Sequence, residues 1–177
     1  MLVVGPSGVG KDTLIDGARA ALADNPGVVF VRRDITRPAE AGGEDHQPVS
    51  EAEFQRREAA GDYVLSWRAH GLSYGVPADI LKDLAAGRRV VVNVSRGVID
   101  EARRRLGAVR VVSVSADPEQ LAERLRQRGR ESEAEIADRI ARAQAYGVAG
   151  PDVIALRNDG SREAGVMAMI RSIMIES

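Results

Sequence analysis

Short runs of β-branched residues recur along the chain, with helix-length amphipathic stretches between them. The runs at Leu2 to Val4, Val28 to Val31, Val90 to Val94, Val109 to Val114 and Val153 to Leu156 lack apolar–polar alternation, so they predict strands buried on both faces. After the first run, Leu14, Ile15, Ala18 and Leu22 fall on one helical face, and Asp24-Asn25-Pro26-Gly27 ends that helix. Similar spacing predicts helices at Glu51 to Ala59, Ala78 to Ala86, Val98 to Leu106, Pro118 to Arg128, Ser132 to Tyr146 and Arg162 to Ile175. Strands alternating with helices predict an α/β fold, a parallel β-sheet flanked by helices, in a single domain over residues 1–177. The alternation fails between Thr36 and Trp67, where Pro, Gly and acidic residues predict a small insert, approximately 34–75. A second insert is expected over about 124–142, an arginine-rich helix, glycine turn and helix.

The first strand runs directly into GPSGVGKDT, residues 5–13, and then into the first helix. That is the context in which a glycine loop binds phosphate. Glycines let the backbone turn several N–H groups toward phosphate oxygens, and the helix N-terminus adds partial positive charge. Lys11 supplies a mobile full charge for the β- and γ-phosphates of a nucleotide, and Gly5, Pro6, Ser7, Gly8, Val9, Gly10, Asp12 and Thr13 complete the cradle. Asp12 stands where Ser or Thr usually places a hydroxyl on Mg²⁺. A carboxylate is a hard ligand for Mg²⁺, so Asp12 is a candidate metal ligand with Thr13 assisting. The alternative is that Asp12 only complements the helix dipole.

Composition narrows the picture further. With no cysteine, disulfide frameworks and thiolate sites are excluded. A net charge of −1 gives no overall attraction to nucleic acid or to a membrane surface. Met1 leads straight into the first strand and no apolar run reaches a membrane span, so a cytoplasmic protein is expected.

Several segments in order resemble the guanylate kinase family: GPSGVGKDT, DITRP, GEDHQPVSEAEF, SWRAHGLSYG, RLRQRG and RNDG. The resemblance implies a P-loop kinase with substrate-binding and lid inserts, using ATP and Mg²⁺. It places acceptor-phosphate binding on Arg37, whose planar fork suits phosphate oxygens. The residues that would read guanine are missing. Ser66 stands before Trp67 where that family carries Glu, and Asn93 lies in VNVSRG where it carries Asp. Glu40 falls near a second phosphate-binding arginine, and His46 aligns with a phosphate-binding tyrosine. Arg96 is an added cation, and Arg32 and Arg33 serve either a second phosphate or the surface. The combination of GKDT, ITRP, SWRAHGLSYG, VNVSRG and RGRE resembles the ribose 1,5-bisphosphate phosphokinases of phosphonate catabolism. That resemblance implies a doubly phosphorylated sugar as acceptor, met by Arg37, His46, Ser66, Tyr74, Asn93 and Arg96, and 5-phosphoribosyl 1-diphosphate as product.

Six arginines mark the second insert: Arg124, Arg126, Arg128, Arg130, Arg139 and Arg142. Phosphoryl transfer depends on positioning and charge stabilisation, so arginines closing over the reaction suit it. Helical direction and the resemblance favour Arg128 and Arg139 as catalytic, leaving the rest as solvated charges or ion-pair partners. An ionised phosphate acceptor needs no general base, which makes His46 and His70 structural or hydrogen-bonding residues. In the related kinases the segment Arg157-Asn158-Asp159-Gly160 holds adenine, with Asn158 on the base edge. A plain turn with Asp159 capping the last helix accounts for the same residues. Two other readings stay open from the residues alone: an atypical nucleoside monophosphate kinase, and a non-catalytic binding module of the same fold.

Overall fold

The computed structural model describes residues 1–38, 44–129, 132–145 and 147–175, except the side chains of Arg128 and Ala145. Five strands form the main sheet: β1 (Leu2–Val4), β2 (Val28–Phe30), β7 (Arg89–Asn93), β8 (Val111–Ser115) and β9 (Val153–Arg157), in the order β2-β7-β1-β8-β9. The pairs β2/β7 and β8/β9 are parallel. Four further strands make a second, mixed sheet in the order β4-β3-β6-β5: β3 (Asp34–Ile35), β4 (Gln47–Pro48), β5 (Tyr63–Ala69) and β6 (Leu72–Pro77). The helices are α1 (Lys11–Ala21), α2 (Glu51–Ala60), α3 (Ile80–Ala85), α4 (Ile99–Leu106), α5 (Pro118–Arg128), α6 (Glu133–Ala145) and α7 (Arg162–Met174).

The chain divides into two compact units. One unit, residues 1–2 and 22–109, contains the mixed sheet. There α2 starts at Ser50, whose hydroxyl accepts from the Glu53 N–H at 3.1 Å, and ends at Gly61 with φ 79°. Its single buried residue, Phe54, packs on the Tyr63 ring with centroids 4.8 Å apart. The buried Asp34 carboxylate accepts from the Tyr63 hydroxyl (2.8 Å) and from Arg57 Nη1 (2.7 Å), which fastens α2 to the sheet. The hairpin joining β5 to β6 turns at His70 and Gly71, both at positive φ (52° and 73°), so His70 is a turn residue.

The other unit, residues 3–21 and 110–177, carries the glycine loop. Its helix α1 buries Leu14, Ile15 and Ala18 against α7. The two helices meet at Gly17, where an added Cβ would lie 2.4 Å from Val166. Helices α5 and α6 form a hairpin with its own apolar core of Leu121, Ala122, Leu125 and Ile136. Ser161 caps α7, accepting from the Ala164 N–H at 3.2 Å. The capping expected of Asp159 is thus taken by Ser161, because the helix starts two residues later than that expectation required.

Candidate active site

The loop from Gly5 to Gly10 lies between β1 and α1, and Val9 at its crown is fully buried. Gly10 has φ 92°, and an added Cβ there would stand 2.7 Å from Asn158 Nδ2. Gly8, at φ 91°, would set one 2.8 Å from Leu125 of α5. Both positions therefore require glycine for backbone conformation, and a side chain already fills the space beside each. Lys11 Nζ donates to the carbonyls of Gly5 (2.8 Å) and Pro6 (3.0 Å), which hold the ammonium over its own loop. Asp12 and Thr13 open α1 with exposed side chains, and Ser7 is exposed at the loop's edge. Beside the loop is a cleft of about 360 Å³ lined by Gly8, Gly10, Thr13, Arg124, Gln127, Asn158 and Arg162, among others.

Asn158 is buried, with its Nδ2 donating to the Val9 carbonyl at 2.8 Å. Its own carbonyl accepts from Arg124 Nη2 at 2.8 Å, and Arg124 Nη1 reaches the Val9 oxygen at 3.5 Å. Arg124, expected as a solvated helix charge, is instead half-buried and bound to the loop. Only a spatial approach of α5 to the loop singles it out from its neighbours, and no sequence spacing carries that information. Asp159 turns back as well: its Oδ1 accepts from the Asp117 N–H at 2.6 Å and its Oδ2 from Arg157 Nε at 2.7 Å. The backbone N–H of Asp117, with Arg157 assisting, holds the Asp159 carboxyl below its usual range. Arg126 forms an exposed pair with Glu133, and Arg142 donates to the Asp138 carbonyl. Arg139 is half-buried on α6. Arg130 and Glu40 lie outside the described residues, as does the side chain of Arg128.

In the mixed-sheet unit, Arg37, Arg33, Glu44, Trp67, Tyr74 and Asn93 are brought together. The Arg33 guanidinium, only 7% exposed, pairs with Glu44 and lies 5.4 Å from the Trp67 ring centre and 5.3 Å from that of Tyr74. Those rings are themselves stacked, with centroids 5.2 Å apart. Arg33 is thus a core element of the site, while Arg32 pairs at the surface with Asp45 (2.9 Å). Arg37 Nε and Nη2 are buried and have no hydrogen-bond partner among the described residues. Burying donors without acceptors costs free energy, and that cost is relieved by an anion. Burial also raises the Tyr74 hydroxyl above its ordinary value, so it stays a donor.

Two residues expected at this site face elsewhere. Side chains alternate along β5, so Ser66 points opposite to Trp67; its hydroxyl donates to Glu58 at 2.6 Å, beneath α2. His46 is buried with Nδ1 3.0 Å from the Glu44 carbonyl oxygen and Nε2 3.1 Å from that of Arg37, so its ring is occupied by main chain. Arg96 begins a short 3₁₀ turn after β7. Trp67 and Glu44 join this candidate site although sequence reasoning gave neither a role, and both lay inside quoted motifs.

Glycine loop, lysine and parallel sheet together define a P-loop nucleotide-binding protein. A family model described as AAA domain matches residues 1–142. The ribose 1,5-bisphosphate phosphokinase PhnN of Acidiphilium cryptum is 57% identical over 145 residues, which cover 82% of this chain and 77% of that protein. That of Brucella melitensis is 44% identical over 171 residues, covering 97% of this chain and 89% of the relative. The chain belongs to the AAA-type P-loop proteins and, within them, to the ribose 1,5-bisphosphate phosphokinase family. A bifunctional ribose 1,5-bisphosphokinase-thymidine phosphorylase of Cupriavidus necator is 47% identical over 171 residues, and the chain spans 28% of its length. The guanylate kinase of Anaplasma phagocytophilum shares the fold, with a TM-score of 0.64 at 20% identity over 98% of this chain and 85% of that one. No helix among the described residues is long and apolar enough to cross a membrane.

Proposed function

We propose that this chain transfers the γ-phosphoryl group of ATP to the 1-phosphate of ribose 1,5-bisphosphate, giving 5-phosphoribosyl 1-diphosphate and ADP. The observation that carries this reading is Arg37, with two buried donors in need of an anion. Family membership and the lost guanine-reading carboxylates support a phosphorylated sugar over a nucleotide as the carrier of that anion.

The glycine loop binds the triphosphate through backbone N–H groups, and Lys11 neutralises charge that grows on the transferred group. Arg124 and Asn158 hold the loop in shape from behind. The acceptor oxygen is already ionised, so no residue has to remove a proton. Arg37 orients one acceptor phosphate and the Tyr74 hydroxyl donates to the same site, while Arg128 and Arg139 are the lid cations assigned to the reaction. Asp12 and Thr13 fit Mg²⁺, because they place exposed hard oxygens in the first turn after the loop. When bound, the metal supplies charge neutralisation between the phosphates. Initial rates with ribose 1,5-bisphosphate, GMP and dGMP as acceptors test the reading. The sugar bisphosphate is expected to dominate in kcat/KM, and preferred turnover of GMP would restore the nucleotide kinase reading.

A further inference from the structure

Arg37 and Glu44 are joined through one side chain, since the His46 ring contacts the carbonyl oxygens of both. Their own side chains present opposite chemistry. Arg37 holds two buried donors without acceptors among the described residues. Glu44 places Oε2 on Arg33 and takes the Asn93 amide on the same oxygen at 3.4 Å, while no described residue donates to Oε1. A carboxylate oxygen in that position takes a ligand donor. A phosphate dianion offers none, and its charge repels the carboxylate. Glu44 is also anchored, because turning away would leave the buried Arg33 cation unpaired.

Position selects among donors. In a nucleotide the base stands beyond the sugar as seen from the phosphate, whereas the hydroxyls of a phosphorylated pentose sit on the ring next to it. The Glu44 carboxylate is paired with Arg33, whose guanidinium lies 5.3 Å from the Tyr74 ring centre, and the charges of Arg37 and Glu44 both bear on the Tyr74 hydroxyl, which puts the carboxylate in the neighbourhood of the Arg37 anion site.

We propose that Glu44 reads the sugar hydroxyls of the acceptor: with Arg37 on a phosphate, Glu44 Oε1 accepts a hydrogen bond from a hydroxyl of the pentose ring and thereby distinguishes ribose from deoxyribose. This rests on the phosphosugar reading above. It assigns Glu44 a task that the phosphate contacts cannot perform.

The test compares kcat/KM for ribose 1,5-bisphosphate and for its 2-deoxy and 3-deoxy analogues, in the wild type and in Glu44→Gln, by ADP release. The wild type should prefer ribose over at least one analogue by about tenfold to a hundredfold. In Glu44→Gln that preference should shrink by about tenfold, as a charged acceptor becomes a neutral one. If Glu44 serves only to hold Arg33, ribose and deoxyribose substrates lose activity in equal proportion; an unchanged ratio overturns the proposal. Equal kcat/KM on all three substrates in the wild type overturns it without any variant. Should Glu44→Gln melt below the assay temperature, Glu44→Asp keeps the charge for Arg33 but withdraws the oxygen, and a preserved ratio there overturns the proposal equally. Failure of the underlying reading looks different: the wild type turns over no sugar bisphosphate, or prefers GMP, and both ideas fall together.

Discussion

Asn158 donates its side-chain amide to the Val9 carbonyl at 2.8 Å, tying the end of β9 to the crown of the phosphate loop. Asn158→Ala leaves that oxygen without the donor and removes the wall on which Gly10 rests. The expected cost is about 1–3 kcal/mol of stability, with KM for ATP rising more than KM for the acceptor. Thermal melts and initial rates with each substrate varied in turn check this. Equal rises in both KM values would mean that the tie is not specific to the nucleotide loop.

Asp12 supplies a second prediction. If it helps hold Mg²⁺, Asp12→Asn needs more free Mg²⁺ to reach its maximal rate, and Asp12→Ala needs more still. Asp12→Ser restores the hydroxyl of ordinary phosphate loops and should recover part of the activity. If Asp12 serves the α1 dipole alone, its loss costs about 0.3–1 kcal/mol of stability and the Mg²⁺ curves coincide. Rates titrated with Mg²⁺ at saturating ATP and acceptor separate the two.

The main sheet was legible because parallel strands buried on both faces read as continuous β-branched runs; each of the five appears within a few residues of its predicted place. Helix positions were legible from apolar spacing, and the structure adds the caps, as at Ser50 and Gly61 around the helix expected over Glu51 to Ala59. The mixed sheet was illegible for a physical reason. Strands of two residues, such as β3 and β4, carry no period, and their partners lie far along the chain. The phosphate loop was readable because its chemistry is contiguous in sequence. The proposed acceptor site is not contiguous: Arg33, Glu44, Trp67 and Asn93 meet only through folding. Ser66 misled because a motif gives a residue's position along a strand but not the face it takes.

The His46 ring contacts the main-chain carbonyls of both Arg37 and Glu44. His46→Ala removes the ring from between the two carbonyls and should raise KM for the acceptor by about tenfold while leaving KM for ATP nearly unchanged. Initial-rate kinetics with both substrates varied check it. A change confined to ATP would remove His46 from the acceptor site.

Acid should weaken the ion pairs of α2. Arg68, with Ser66 assisting, lowers the Glu58 carboxyl from 4.5 to about 2, and Arg56 and Arg57 lower Glu53 from 4.5 to about 2. Because both folded values lie below the unfolded ones, the stability these pairs contribute is complete above pH 4.5 and is lost as pH falls toward 2. Solvent screening keeps each contribution modest. Melting temperatures of the wild type and Glu58→Gln, followed from pH 7 to pH 2, should converge at the acid end. A constant difference across that range would contradict the assignment.

Phosphorus NMR of a single reaction shows where the transferred phosphoryl group arrives. Ribose 1,5-bisphosphate, ATP and Mg²⁺ are incubated with the protein and the phosphorus-bearing products identified. The expected products are ADP and, in equal amount, a diphosphate at carbon 1 with the 5-phosphate unchanged. ADP accompanied only by inorganic phosphate, or a new diphosphate at carbon 5, would contradict it.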